Sequence, residues 1–179
     1  METTIKLADT QTREEMLKQA SKDDGNRLLS ARLRKDGFKV TKEPSVFVAE
    51  DGGQALRTAV ITEYGAAGGM TATLGFSVEP QGQTLAQVLV AKDGELRYGL
   101  RVNNAGAVET ITPVAAASVN CGLCTTICNF GGCGLGCFTV SIIVCGPGSF
   151  ICSQICNAIC RLGADVPCTT ACTQLGYCP

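Results

Sequence analysis

The stretch spanning residues 120–137 reads NCGLCTTICNFGGCGLGC, with five cysteines, whereas the chain before it contains none. Further cysteines follow at spacings that repeat the pattern CxxxC, and residues four apart lie on one face of a helix. The pattern therefore predicts several short helices that each direct a stripe of cysteines inward, with a turn at Gly131 and Gly132. It occurs at Cys124/Cys128, Cys133/Cys137, Cys152/Cys156/Cys160 and Cys168/Cys172.

We expect these cysteines to form disulfides. Two cysteines four apart on one helix do not converge as a bridge requires, so each is expected to bond to another helix. Short helices are marginal alone, and a nearly uncharged module of this size has little else to hold it together. Twelve cysteines permit on the order of ten thousand pairings, so the connectivity stays open. The predicted disulfide cysteines are Cys121, Cys124, Cys128, Cys133, Cys137, Cys145, Cys152, Cys156, Cys160, Cys168, Cys172 and Cys178.

A metal site is the competing interpretation of the cysteines. Zinc sites favour paired CxxC motifs, often with histidine. Here CxxC occurs once, at Cys121 and Cys124, and the chain has no histidine. The sequence therefore favours disulfides, and we expect neither a metal nor another cofactor. The lack of histidine also excludes histidine-dependent catalytic triads, and we expect no enzymatic activity.

Charge divides the chain into two unlike parts. There are 15 basic and 16 acidic residues, but after Glu109 only Arg161 and Asp165 are charged. A slightly acidic chain whose specialised part has no basic patch is not typical of nucleic-acid binding, so we expect no nucleic-acid partner. The composition predicts a charged N-terminal domain, residues 1–112, and an apolar cysteine-rich domain, residues 121–179.

Residues 1–112 are predicted to form an α+β domain. Residues 12–35 carry an apolar helical stripe that is interrupted near residues 23–25. Beyond Phe38, short segments alternate apolar and polar residues and are separated by turn sequences such as EDGG and KDGE. We therefore expect a helical layer on an antiparallel meander of five or six strands. The strand segments are residues 39–48, 55–63, 70–78, 85–92, 96–102 and 107–112.

Residues 113–120, PVAAASVN, are predicted to link the two domains. The composition changes abruptly on both sides of this segment, which makes it a site where a protease can separate the halves. The small residues resemble the end of a signal-cleavage site. The predicted processing region is therefore Ala115, Ala116, Ala117 and Ser118.

The cysteine content and the N-terminal sequence point to different compartments. A cysteine-rich tail is typical of an oxidising environment. The first twenty residues, METTIKLADTQTREEMLKQA, have no apolar segment of the kind found in signal peptides. We therefore expect the tail to leave the cell by another export route, or its thiols to hold metal.

An apolar segment lies in the middle of the cysteine-rich domain. Residues 138–144 read FTVSIIV, and Gly146, Pro147 and Gly148 interrupt the apolar run that follows. The segment is too short for a membrane-spanning helix, which needs about 20 apolar residues. We expect it to be the buried core of a disulfide-stapled helical module, and the competing interpretation is that this uncharged module partitions into lipid.

The cysteine-rich domain resembles the bacteriocin domain of the halocin C-eight-like family. The likeness is carried by the CxxC opening, the glycine-rich segments with spaced cysteines, the interrupted apolar middle and the closing ACxxxGxC at residues 171–178. The resemblance implies a larger precursor whose C-terminal part is an antimicrobial peptide and whose N-terminal part is a propeptide linked to self-immunity. This chain has more cysteines than the best-known members and lacks their visible export signal.

These observations lead to one hypothesis and two alternatives. We expect the precursor of a secreted, disulfide-rich antimicrobial peptide that acts on competitor membranes, with an N-terminal domain that solubilises the peptide or confers immunity. A processing protease, an exporter, the target membrane and its own N-terminal domain are the expected partners. The first alternative is a cytoplasmic cysteine-rich metal-binding or redox protein, and the second is a secreted structural protein cross-linked through its cysteines.

Overall fold

The computed structural model describes residues 3–112, 121–130, 132–163 and 165–179. The chain divides into two compact units, Met1–Thr112 and Pro113–Pro179. The predicted linker and its processing residues Ala115, Ala116, Ala117 and Ser118 lie outside the described residues, as does Gly131.

The N-terminal unit is built on one antiparallel sheet of eight strands. Its order is β1-β3-β4-β5-β6-β7-β8, and the short β2 pairs with one end of β4. The run from β3 to β8 is a meander, and β1 adds to its edge beside β3. The strands are β1 Thr3–Leu7, β2 Lys39–Val40, β3 Ser45–Asp51, β4 Gln54–Gly65, β5 Met70–Val78, β6 Thr84–Lys92, β7 Glu95–Val102 and β8 Val108–Ile111.

A tight two-residue turn joins β6 to β7. The β6–β7 turn consists of Asp93 and Gly94, both with positive φ, at 51° and 83°. Two successive residues with positive φ are characteristic of a type I′ hairpin turn, whose twist matches that of the flanking strands. The sequence KDGE therefore predicts this hairpin for a physical reason, because aspartate and glycine tolerate that conformation.

Two helices, α1 Thr10–Lys22 and α2 Asp24–Lys35, lie between β1 and β2 in the chain. The Asp9 side chain accepts a hydrogen bond from the Thr12 amide at the start of α1, which lowers the pKa of that carboxyl. Asp23 ends α1 and also begins α2, where its carboxylate accepts from the Asn26 amide. One N-cap aspartate therefore explains why the predicted helix divides at this residue.

The core of the N-terminal unit lies between these helices and one face of the sheet. Leu29 and Leu33 of α2 are fully buried and pack with side chains of β4, β5, β6 and β7. Met16 and Ala20 of α1 pack with β3, β4 and β5 in a second cluster. The apolar stripe seen in the sequence is thus the surface that the helices bury.

The cysteine-rich unit is all-helical among its described residues. It contains α3 Cys121–Asn129, α4 Gly132–Leu135, α5 Cys137–Cys145, α6 Ser149–Leu162 and α7 Cys168–Gln174, with a 3-10 turn, Gly146–Gly148, between α5 and α6. The prediction of an α+β unit followed by a small disulfide-stapled helical module is confirmed.

Two details of the predicted fold are wrong. The sheet has eight strands rather than five or six, because the Thr3–Leu7 segment pairs with β3 and the segment predicted at residues 39–48 divides into β2 and β3. Cys133 and Cys137 do not share a helix. Gly136 lies between them with φ 107°, a conformation that ends α4 before α5 begins.

The helix-facing core predicts the effect of one substitution. Leu33→Ala removes a fully buried side chain, so we expect the free energy of unfolding of the N-terminal unit to fall by about 2–5 kcal/mol. Leu28→Ala on the same helix is the matched control, because Leu28 is 42% exposed. Urea unfolding of the full chain, followed by the circular dichroism of the sheet, measures both. Equal losses in the two variants would contradict this assignment of the core.

Candidate functional site

The candidate functional site is the set of twelve cysteines, which the structure joins in six disulfides. Their pairing is nested, so that each bridge encloses the next one along the chain. The sequence separation falls from 57 residues in Cys121–Cys178 to 7 residues in Cys145–Cys152. From the outside inward, the bridges are Cys121–Cys178, Cys124–Cys172, Cys128–Cys168, Cys133–Cys160, Cys137–Cys156 and Cys145–Cys152.

Nested pairing follows from the path of the chain within this unit. The helices α3, α4 and α5 form an outgoing arm, and α6 and α7 form the returning arm. In such a hairpin, each position on one arm meets one position on the other. Two of the three cysteines of α3, Cys124 and Cys128, accordingly bond to Cys172 and Cys168 of α7. The Cα atoms of these pairs are 6.0 and 5.6 Å apart, within the range that a disulfide spans.

The bridges also form much of the core of the cysteine-rich unit. One cluster contains buried Cys124 and Cys172 with Ile155 and Ile159. A second contains buried Ile127 with Cys137, Cys152 and Cys156. The helices therefore direct cysteine and isoleucine to the same face. The bridged sulfur atoms fill space that larger side chains fill in an ordinary core. Exposure is not uniform, since Cys133 is exposed whereas Cys124 and Cys172 are fully buried.

The chain reverses at the 3-10 turn between α5 and α6. Gly146 there has φ 54° and ψ −117°, a conformation that residues with a side chain rarely adopt. A straight helix would separate Cys137 from Cys156 by about 29 Å at 1.5 Å per residue, but their Cα atoms are 5.5 Å apart. The helices α5 and α6 are therefore the two arms of a closed hairpin.

The hairpin also has the composition of a membrane segment. The stretch Cys137–Leu162 is long and apolar enough to cross a membrane by composition, with a mean hydropathy of 1.6 in its most apolar window. Much of that window, 61%, is buried within the protein, and the core helices of soluble proteins pass the same test. Because the chain folds back at Gly146, this stretch does not form one straight spanning helix in the described conformation.

The three-dimensional structure also has a cleft that the sequence did not predict. It has a volume of about 880 Å³ and lies in the N-terminal unit between α2 and the β7–β8 hairpin. Asp24, Arg27 and Arg34 line it together with Val102 and Gly106. The sequence gives no signal for it, because its walls come from segments more than sixty residues apart.

Comparison of the chain with protein-family models, curated proteins and solved structures finds no match.

The turn at Gly146 allows a test of the hairpin. Gly146→Ala places a side chain in the glycine conformation at a cost of about 1–3 kcal/mol, so we expect a lower yield of the nested isomer in oxidative refolding. Gly148→Ala is the matched control, since Gly148 has φ −87° and an added Cβ would meet its nearest neighbour, the Cys145 Cβ, only at 4.0 Å. Chromatography of the refolded isomers measures both yields. Equal yields from the two variants would refute the role of Gly146.

Proposed function

We propose that the chain is the precursor of a secreted, disulfide-rich antimicrobial peptide of the halocin C-eight-like kind. The peptide corresponds to residues 121–179, and a protease releases it within residues 113–120. The observation that carries the proposal is that all twelve cysteines pair with one another inside the cysteine-rich unit. This unit thus holds every bridge that it needs after separation from the rest of the chain.

Secretion is supported by the redox chemistry of the bridges. Cytosolic thiol reductants keep cysteines reduced, whereas disulfides persist outside the cell. A module with so little charge and such short helices depends on its bridges for stability. The module therefore keeps its bridges, and with them its fold, outside the cell.

Action on membranes is supported by the composition of the α5–α6 hairpin. Within α3 to α6, Arg161 is the single charged residue, and α5 reads CFTVSIIVC, with no ionisable side chain outside its bridged cysteines. Transfer of such a helix into hydrocarbon has no charge-burial cost, whereas one lysine or aspartate at the bilayer centre costs about 3 kcal/mol. The peptide is proposed to partition into competitor membranes through this hairpin.

The N-terminal unit is proposed to keep the peptide soluble and to confer self-immunity. It carries all but two of the charged residues of the chain, and several form ion pairs between neighbouring strands, such as Lys6–Glu50 and Arg101–Glu109. A highly charged partner opposes association of an apolar one. A processing protease and an exporter complete the proposed pathway, which assigns no catalytic step to the chain itself.

The proposal is tested in the culture medium of cells that produce the protein. We expect a fragment that begins within residues 113–121 and is lighter than the reduced peptide by two hydrogens for each of six bridges. The purified fragment is expected to release dye from lipid vesicles, and the same fragment after reduction and alkylation is the control. Full-length protein that stays inside the cells with free thiols would contradict the proposal.

A further inference from the structure

Two of the six bridges touch each other. Cys137 bonds to Cys156, and Cys133 bonds to Cys160. The sulfur atoms of Cys137 and Cys160 belong to different bridges but lie 3.5 Å apart. The sulfurs of Cys137, Cys156 and Cys160 all lie within 4.8 Å of one another. Cys133 lies outside this group of three but is bonded to Cys160, so the two CxxxC pairs Cys133/Cys137 and Cys156/Cys160 place four cysteines side by side.

Once reduced, these four cysteines offer the donor set of a structural zinc site, and three of their sulfurs already lie within 4.8 Å of one another. Such sites hold four thiolates in a tetrahedron with Zn–S distances of about 2.3 Å, which places neighbouring sulfurs about 3.8 Å apart. The contact between Cys137 and Cys160 is close to that edge. Structural zinc sites accept pairs of cysteine ligands with two to four residues between them. Each CxxxC pair here has three residues between its two cysteines.

The bridges are absent when the chain is made, because a new polypeptide carries thiols and a reducing cytosol preserves them. We propose that, in this reduced state, Cys133, Cys137, Cys156 and Cys160 bind one Zn²⁺ as four thiolates. Four protons leave the thiols when the metal binds. The metal then links the α4–α5 segment to α6, as the two bridges do after oxidation. Binding of zinc to unbridged ligands supplies folding free energy that this small module otherwise lacks.

Oxidation releases the metal in a balanced step. Two disulfides of a thiol oxidant accept four electrons from the four thiolates and four protons from solvent, and they become four thiols. The four cysteines become two disulfides, and Zn²⁺ leaves. Because the metal gathers these four sulfurs, oxidation pairs them among themselves rather than with the other eight cysteines. Zinc binding by the reduced chain does not depend on the proposed function. The release of zinc on export does rest on that proposed function.

The chain contains a matched control for the site. Cys124, Cys128, Cys168 and Cys172 also form two CxxxC pairs joined by two nested bridges, with similar Cα distances. Their sulfurs do not form a cluster of three within metal-binding range, and Cys137, Cys156 and Cys160 are the one such group among the residues that the structure describes. The proposal therefore distinguishes two sets with the same sequence pattern.

Two full-length variants test the proposal, each keeping one set of four cysteines and replacing the other eight by serine. Under anaerobic conditions with a phosphine reductant, both are titrated with Co²⁺ and then with Zn²⁺. The chain that keeps Cys133, Cys137, Cys156 and Cys160 is expected to bind one Co²⁺ with the absorption of a tetrahedral tetrathiolate. Its affinity should exceed that of the control chain by about tenfold or more. Equal affinities, or cobalt without thiolate absorption, would overturn the proposal.

A second measurement uses the chain with its other cysteines in place. Zinc that remains with the reduced protein after gel filtration is measured for Cys156→Ser and Cys172→Ser, whose cysteines are both buried in the oxidised module. We expect Cys156→Ser to lose the metal and Cys172→Ser to keep it, and the reverse result refutes the site. A chain that binds zinc but yields no secreted peptide would refute the proposed function alone. A secreted, bridged peptide whose reduced precursor binds no zinc would refute the site alone.

Discussion

Nested disulfides close the cysteine-rich unit, and its packing and stability follow from that closure. Alone, the bridge Cys121–Cys178 would close a loop of 57 residues, worth about 4 kcal/mol in the chain-entropy model. Once Cys124–Cys172 is in place, the same bridge closes only the short ends outside it and contributes less, about 3 kcal/mol. The contribution of each bridge therefore depends on which other bridges have formed, and the innermost one closes the shortest loop, at the Gly146 turn.

The same constraint explains why the two halves of the chain differ so much. The core of the cysteine-rich unit combines bridged cysteines with isoleucine, valine and phenylalanine, and this part of the chain has two charged residues. The N-terminal unit has an ordinary core, built by Leu29 and Leu33 against a sheet, and its surface carries the ion pairs. The two halves therefore differ in what holds them together, a packed helix–sheet interface in one and disulfides in the other.

Local signals in the sequence predicted most of the fold. Alternation and turn sequences located the strands, and Asp23 marked the division of the helix. Strand β1 was missed because five residues before a helix carry little pattern and their partner, β3, lies some forty residues further on. The CxxxC period indicated helices with inward cysteines, but Gly136 divides one pair between α4 and α5. The pairing was not predictable, because CxxxC motifs are equivalent until the turn at Gly146 decides which positions face each other. For the same reason the contact between Cys137 and Cys160 has no signature in the sequence.

Mapping of the bridges in the oxidised protein tests whether the six disulfides are nested. Digestion of the unreduced chain at low pH, which suppresses thiol–disulfide exchange because thiolates are protonated, followed by tandem mass spectrometry, identifies each linked pair. We expect the fully nested set, with Cys145 joined to Cys152 at the centre and Cys121 joined to Cys178 at the outside. Any pair that crosses another, such as Cys124 with Cys145, or any cysteine left as a free thiol, would contradict it.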